Sequence, residues 1–218
     1  MIRLALFDCD GTLVDSQHNI CAAMEHAFAE SALAPPPRAA IRRAVGLSLI
    51  EVVRALLPGA EDARHQRIAQ DYKDAFFQLR SSGAMADEPL YDGIAELLPA
   101  LIDDGWVLGV ATGKSDRGLA HILAHHGIAA HFITLQTADR HPSKPHPAMI
   151  EAAIAEAGAT PAATAMIGDT SFDIAMARAA GVRAIGVGWG YHPAGELEAA
   201  GADVVVDTIP MLAEALAR

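Results

Sequence analysis

With 218 residues, 52% of them hydrophobic, the chain can bury the core of one large domain or of a domain carrying an insertion, which argues against disorder. A formal net charge of -11 argues against a nucleic-acid-binding surface, because neutralising a phosphate backbone takes clustered Lys and Arg that this chain does not supply. A small anion stays admissible as a ligand where local cations or a metal offset the repulsion.

The first predicted element lies in LALFDCDGT (4–12), which reads as a strand buried on both faces and ending in Asp8 and Asp10. Two carboxylates at the end of a buried strand repel each other unless something positive sits between them. After Ser16 the apolar period becomes helical, with Ile20, Met24 and Phe28 four apart. APPPR (34–38) separates the next helix, and Ser48 with Glu51 reads as a capping box before VVRALL. Ile68, Tyr72, Phe76 and Leu79 make a further stripe, with Tyr72 and Phe76 read most simply as core. Residues 16–85 thus form an all-helical block.

From Tyr91 the pattern alternates. A helix over 93–104, with Pro99 bending it, precedes the strand WVLGVAT (106–112), a helix over 116–126 and the strand HFITLQT. A helix over 147–157, a strand over 164–168, a helix over 171–180 and the strand RAIGVG follow. A short helix over 194–200, the strand ADVVVD and a last helix complete the chain. Alternation of this kind means parallel β-α units, so the fold class is α/β, a doubly wound parallel sheet with the helical block inserted after its first strand.

Ligands of such sheets bind outside the carboxyl ends of the strands. The polar residues there are Asp8 and Asp10, Thr112 and Gly113, Lys144 in HPSKPHP, and Asp169 and Asp173 after the 164–168 strand. Carboxylates, a hydroxyl, backbone N–H groups and one ammonium suit phosphoryl transfer with a hard cation. Asp8 can attack phosphorus as an ionised carboxylate, and Asp10 can protonate the leaving alcohol and then deprotonate water. Mg2+ held by Asp8 and Asp169 would screen the meeting of two anions, while Thr112 and Lys144 would hold the non-bridging oxygens.

DCDGT (8–12), the Thr of ATGKS (112), the Lys of SKPHP (144) and GDTSFD (168–173) resemble the ordered motifs of the haloacid dehalogenase superfamily, phosphatase branch. The resemblance covers the whole chain and implies a Rossmann-like core of residues 1–15 and 86–218 with a helical cap of 16–85. It implies Asp8 as nucleophile and Asp10 as general acid and base. It also implies a magnesium site of Asp8, the Asp10 carbonyl and Asp169, supported by Asp173. Dehalogenases of the superfamily lack the second aspartate and phosphonate hydrolases carry alanine there, so Asp10 favours phosphate esters. GVGWGYH (186–192) and VGLSL (45–49) look most similar to phosphoglycolate phosphatase-like proteins.

Taken singly, Thr112 also reads as a helix cap, Lys144 as a solvated loop charge and Asp173 with Thr170 as a capping box. Cys9 reads as a buried thiol, His121 and His125 as a helical pair without a third ligand, and His146 as a surface residue of its loop. Arg42, Arg43 and Ser48 could reach a substrate from the helical block. GKS (113–115) lacks the first glycine of a nucleotide phosphate loop, since position 108 is Leu108, and GVGWG lacks a third dinucleotide-binding glycine because Tyr191 follows. Cys9 and Cys21 have no Cys-x-x-Cys spacing, which fits a reducing cytoplasm. The opening residues have none of the sections of a signal peptide, and the apolar runs stop short of the roughly 20 residues that span a bilayer.

The expectation is a cytoplasmic, magnesium-dependent phosphatase of a small phosphorylated metabolite, phosphoglycolate-like, working through an aspartyl-phosphate. It has no nucleic-acid or membrane partner and is a monomer or homodimer. A phosphomutase of the β-phosphoglucomutase type, a pyrophosphatase and a non-catalytic regulatory protein are the alternatives.

Overall fold

A computed structural model describes residues 2–217. The first strand, β1 (Arg3–Phe7), explains its own unbroken apolar run. Successive side chains point to opposite faces of a sheet, and here both faces are covered. Leu4 and Leu6 pack with Met149, Ile150 and Met166, while Ala5 and Phe7 pack with Leu98, Leu108 and Ile122. Complete burial of a side chain such as Phe7 contributes about 1.5–3 kcal/mol.

Five further strands complete the sheet: β2 (Trp106–Thr112), β3 (Phe132–Thr137), β4 (Thr164–Gly168), β5 (Arg183–Val187) and β6 (Val204–Val206). All pairings are parallel and the order is β3-β2-β1-β4-β5-β6. The chain winds outward from β1 to β3, then crosses back to β4 and winds the other way. The reversal falls between β1 and β4, where loops diverge and leave a crevice at the carboxyl ends.

The helical block contributes α1 (Gln17–Glu30), α2 (Arg38–Ala44), α3 (Leu49–Leu56) and α4 (Asp62–Ser82). The remaining helices are α5 (Ile94–Asp103), α6 (Asp116–His125), α7 (Ala148–Ala157), α8 (Ser171–Ala180), α9 (Ala194–Ala199) and α10 (Ile209–Ala217). Helices α5, α6 and α10 cover one face of the sheet, and α7, α8 and α9 cover the other. No helix among the described residues is long and apolar enough to cross a membrane. Helix α5 runs from Ile94 to Asp103 as one element through Pro99.

Helices α1 to α4 bury a cluster of their own, in which Ile20, Met24, Phe28, Ile41, Val53 and Ile68 are all buried. One expectation fails here. Ser48 is the N-cap of α3, but its side chain accepts no backbone N–H, and Glu51 turns to Arg54 at 2.6 Å. A charged partner one turn away wins the glutamate, and the Ser48 amide donates instead to Ser143 Oγ at 2.8 Å. The Thr170 and Asp173 capping box of α8 does form.

The two chain crossings between the sheet and the helical block run side by side. Asp15 N donates to Pro89 O and Tyr91 N to Leu13 O. Asn19, buried, clasps Ala86 from both sides: its Nδ2 donates to Ala86 O at 2.9 Å and its Oδ1 accepts from Ala86 N at 3.0 Å. Asn19→Ala removes both bonds and leaves two main-chain groups unpaired, so its stability should fall by about 2 kcal/mol, read as a lower urea midpoint.

Candidate active site

The crevice collects polar side chains because each β strand delivers its first residues after the sheet to the same end. Asp8 follows β1, Thr112 closes β2 and Asp169 follows β4, while Asp173 sits in the first turn of α8. Asp8 N donates to Ile167 O at 2.9 Å, which ties the end of β1 to that of β4. Lys144 comes from the loop after β3 and is completely buried.

Its ammonium lies 2.6 Å from Asp173 Oδ1, a hydrogen bond, and 2.9 Å from Asp8 Oδ1, a close ion pair without hydrogen-bond alignment. Asp173 Oδ2 accepts from the Thr170 amide at 3.1 Å and hydroxyl at 2.6 Å. Asp169 accepts from Thr12 Oγ1 at 2.8 Å and from the Tyr191 amide at 2.9 Å. Asp8, alone among these carboxylates, accepts no hydrogen bond from the described residues.

Burial penalises the charged forms. The Asp8 carboxyl, ordinarily near 3.8, is pushed up to about 7 by burial; Lys144 pulls it down and Asp173 pushes it up again. Asp169 is pushed well above the usual range by burial, then by Asp173 and Asp8, against the pull of its two hydrogen bonds. Burial works against the Lys144 ammonium, yet Asp173 and Asp8 outweigh it and hold the group above its ordinary value.

Ligand atoms of Asp8, Asp169 and Asp173 lie within 4.8 Å of one another. Hard carboxylate oxygens, buried, with Asp8 Oδ2 unpartnered and two carboxyls starved of positive charge, are a donor set that fits a small divalent cation. A cation there would reverse the upward shifts. The Asp10 side chain lies outside this carboxylate cluster and lines the cavity beside Asp8.

Asp10 Oδ1 accepts from Ser16 Oγ and, at 2.5 Å, from Lys114 Nζ. Burial works against the Lys114 ammonium, but Asp10 overrides it and the group is held above its ordinary range. Ser16 and Lys114 were not read from the sequence as site residues. The signal for Lys114 was its place two residues after Thr112 at a strand end, masked by comparison with a nucleotide-binding loop.

Two glycines are dictated by close approach. Gly11 has φ +89°, and a Cβ there would sit 2.2 Å from Asp169 Oδ2. At Gly113 a Cβ would sit 2.5 Å from Leu47 O, so only a bare backbone lets the helical block reach the end of β2. That block is also held by Arg43, whose guanidinium meets Glu196 of α9 at 2.9 and 2.7 Å, and by His192 against Arg43 O.

Between block and sheet lies a cavity of about 710 Å3. Asp8, Asp10, Thr112, Gly113 and Lys114 line its sheet end; Lys144, Asp169 and Asp173 do not line it. Ser48 lines it, but Arg42 and Arg43 do not: Arg42 bonds Gln17 and Arg43 is spent on Glu196. Tyr72 and Phe76 are half-buried and do two things: they pack against the helical core, as expected, and they also line the cavity. His146 is exposed, and its Nδ1 accepts from Ala148 N at 3.2 Å. His121 and His125 stack at 6.3 Å and belong to no metal-ligand group among the described residues. Cys9 is buried.

The model of the haloacid dehalogenase-like hydrolase family matches residues 5–187. A protein of Dickeya dadantii named "Probable phosphatase IndB" is 37% identical over 213 residues, covering 95% of this chain and 90% of that protein. A phosphoglycolate phosphatase of Agrobacterium fabrum is 32% identical, covering 98% and 91%. The crystal structure of "a predicted phosphatase" from Clostridium acetobutylicum superposes with a TM-score of 0.89 at 26% identity, covering 100% and 99%. With its motifs gathered at the strand ends and the family model spanning most of its length, this chain belongs to the haloacid dehalogenase-like hydrolases.

Proposed function

We propose that the chain is a magnesium-dependent phosphatase of small phosphomonoesters that works through an aspartyl-phosphate on Asp8. The observation that carries this reading is Asp8 itself: a buried carboxylate at the floor of the cavity, accepting no hydrogen bond, with Lys144 at 2.9 Å. An unsolvated carboxylate is a better nucleophile than one wrapped in donors. The names of the relatives from Dickeya and Agrobacterium support phosphate-ester chemistry.

In this reading residues 16–85 act as a cap on a core of 1–15 and 86–218. Asp8 and Asp169, with the Asp10 carbonyl, would hold Mg2+, which when bound neutralises charge on the phosphoryl oxygens. Asp8 Oδ attacks phosphorus and the bond to the ester oxygen breaks. Asp10, lining the cavity, gives that oxygen a proton and next takes one from the water that hydrolyses the phosphoryl-enzyme, restoring Asp8. The Thr112 hydroxyl and Gly113 amide take phosphoryl oxygens from the end of β2. Lys144, fixed by Asp173, pulls Asp8 back toward its ionised form against burial and holds it in place, and its charge lies close to the developing one. Closure of the cap excludes competing water.

Asp8→Asn should abolish phosphate release without unfolding the chain. The sign of the stability change follows from the raised Asp8 carboxyl: the folded state holds that proton more tightly than the unfolded one, so the metal-free protein loses stability as pH rises from about 4 and levels off above about 7. Asparagine carries no such penalty, so the metal-free variant should melt at or above the parent's temperature at pH 8, measured by calorimetry; substantial residual turnover would overturn the mechanism.

Magnesium should raise the parent's melting temperature, and chelator should remove both the increment and the turnover. Asp169→Asn should lose most of that increment, a readout independent of catalysis.

A further inference from the structure

We propose that the substrate is a phosphomonoester whose alcohol carries an apolar ring, gripped by Tyr72 and Phe76, and not a short acid such as phosphoglycolate. The inference rests on the phosphatase reading and goes on to name its substrate class.

The first observation is size. A cavity of about 710 Å3 lies within the roughly 300–1,000 Å3 range that encloses drug-sized ligands, far more than a two-carbon acid fills. The second is the wall. Away from the carboxylates the cavity is lined by Ile20, Met24, Leu47, Leu49, Tyr72 and Phe76. The last two are neighbouring rings on α4, 5.7 Å apart at the centroids and tilted by 43°, the arrangement in which a third ring completes an aromatic cluster. The Arg80 guanidinium lies 5.7 Å from the centre of the Phe76 ring and braces it.

The third observation is charge. At the sheet end of the cavity a carboxylate on the leaving group would need a free cation, and the Lys114 ammonium there is engaged. Lys114 is paired with Asp10, while Arg80 lies on Phe76 with its buried Nε unpartnered, and Lys73 and Arg117 are exposed, with Arg117 over Phe77. Glu88 also lines the cavity, is buried, and has one oxygen without a hydrogen-bond partner. A second anion brought beside Asp10 and Glu88 meets repulsion, whereas a neutral ring meets apolar walls.

The test compares kcat/KM of the full chain, with magnesium, for benzyl phosphate, ethyl phosphate and 2-phosphoglycolate. All three release alcohols of similar reactivity class, so differences report recognition. Benzyl phosphate should exceed both others by about tenfold or more, the scale on which an apolar pocket discriminates. Phe76→Ala should cut the benzyl-to-ethyl ratio about fivefold, and Phe76→Leu, which keeps an apolar wall and guards against a folding artefact, should lose less. Preference for 2-phosphoglycolate, or a benzyl-to-ethyl ratio unmoved in Phe76→Ala, would overturn the substrate class and leave the phosphatase reading standing. Release from none of the esters would overturn both.

Discussion

The Lys144 ammonium stands 2.9 Å from Asp8 and 2.6 Å from Asp173, with no part of its side chain exposed. Asp8, Asp169 and Asp173 crowd together around the same point. Buried like charges at that separation are tolerated only when a cation and hydrogen-bond donors offset the lost hydration. Lys144 supplies the cation; Thr170, Thr12 and the Tyr191 amide supply the donors. The arrangement is also anchored mechanically, since Asp173 caps α8 and favours the positive end of that helix. What remains unbalanced is Asp8, and a site keeps such a group where it is used.

In the proposed reading, chemistry and selection are divided between the sheet and the helical block. The sheet presents the carboxylates on rigid strand ends, while the cavity's apolar walls come largely from α1, α3, α4 and the segment before α3. Closure is secured by the Gly113 approach and by Arg43 against Glu196, an exposed pair. Exposed ion pairs contribute little net stability, so this clasp specifies how the layers meet without making their separation costly.

Much of this was legible in the sequence where a residue's role is set by its neighbours along the chain. The two-faced burial of β1, the alternation of strands and helices and the Thr170 capping box all depend on local sequence. Asp8, Thr112, Lys144 and Asp169 could be collected as residues at strand ends, and the structure brings the carboxylates and Lys144 together. Features created by packing were not legible: Glu51 chose Arg54 over a backbone amide, Lys114 found Asp10 across the crevice, and Tyr72 and Phe76, packed on the helical core, also present themselves to the cavity. A helical stripe states which face is apolar and leaves open whether that face meets a core or a ligand.

The position of the helical block also bears on how the chain folds. Arg3 of β1 pairs opposite Trp106 of β2, so the first strand must wait for the whole block before it finds its neighbour. The loop-closure cost grows only slowly with length, but the waiting strand is a bare apolar run while it lasts. Its flanks are charged: Arg3 at one end and Asp8 and Asp10 at the other. Charges bordering a hydrophobic strand oppose its stacking with other copies. The same two aspartates that face the cavity in the finished protein therefore guard the nascent strand against aggregation before the sheet exists.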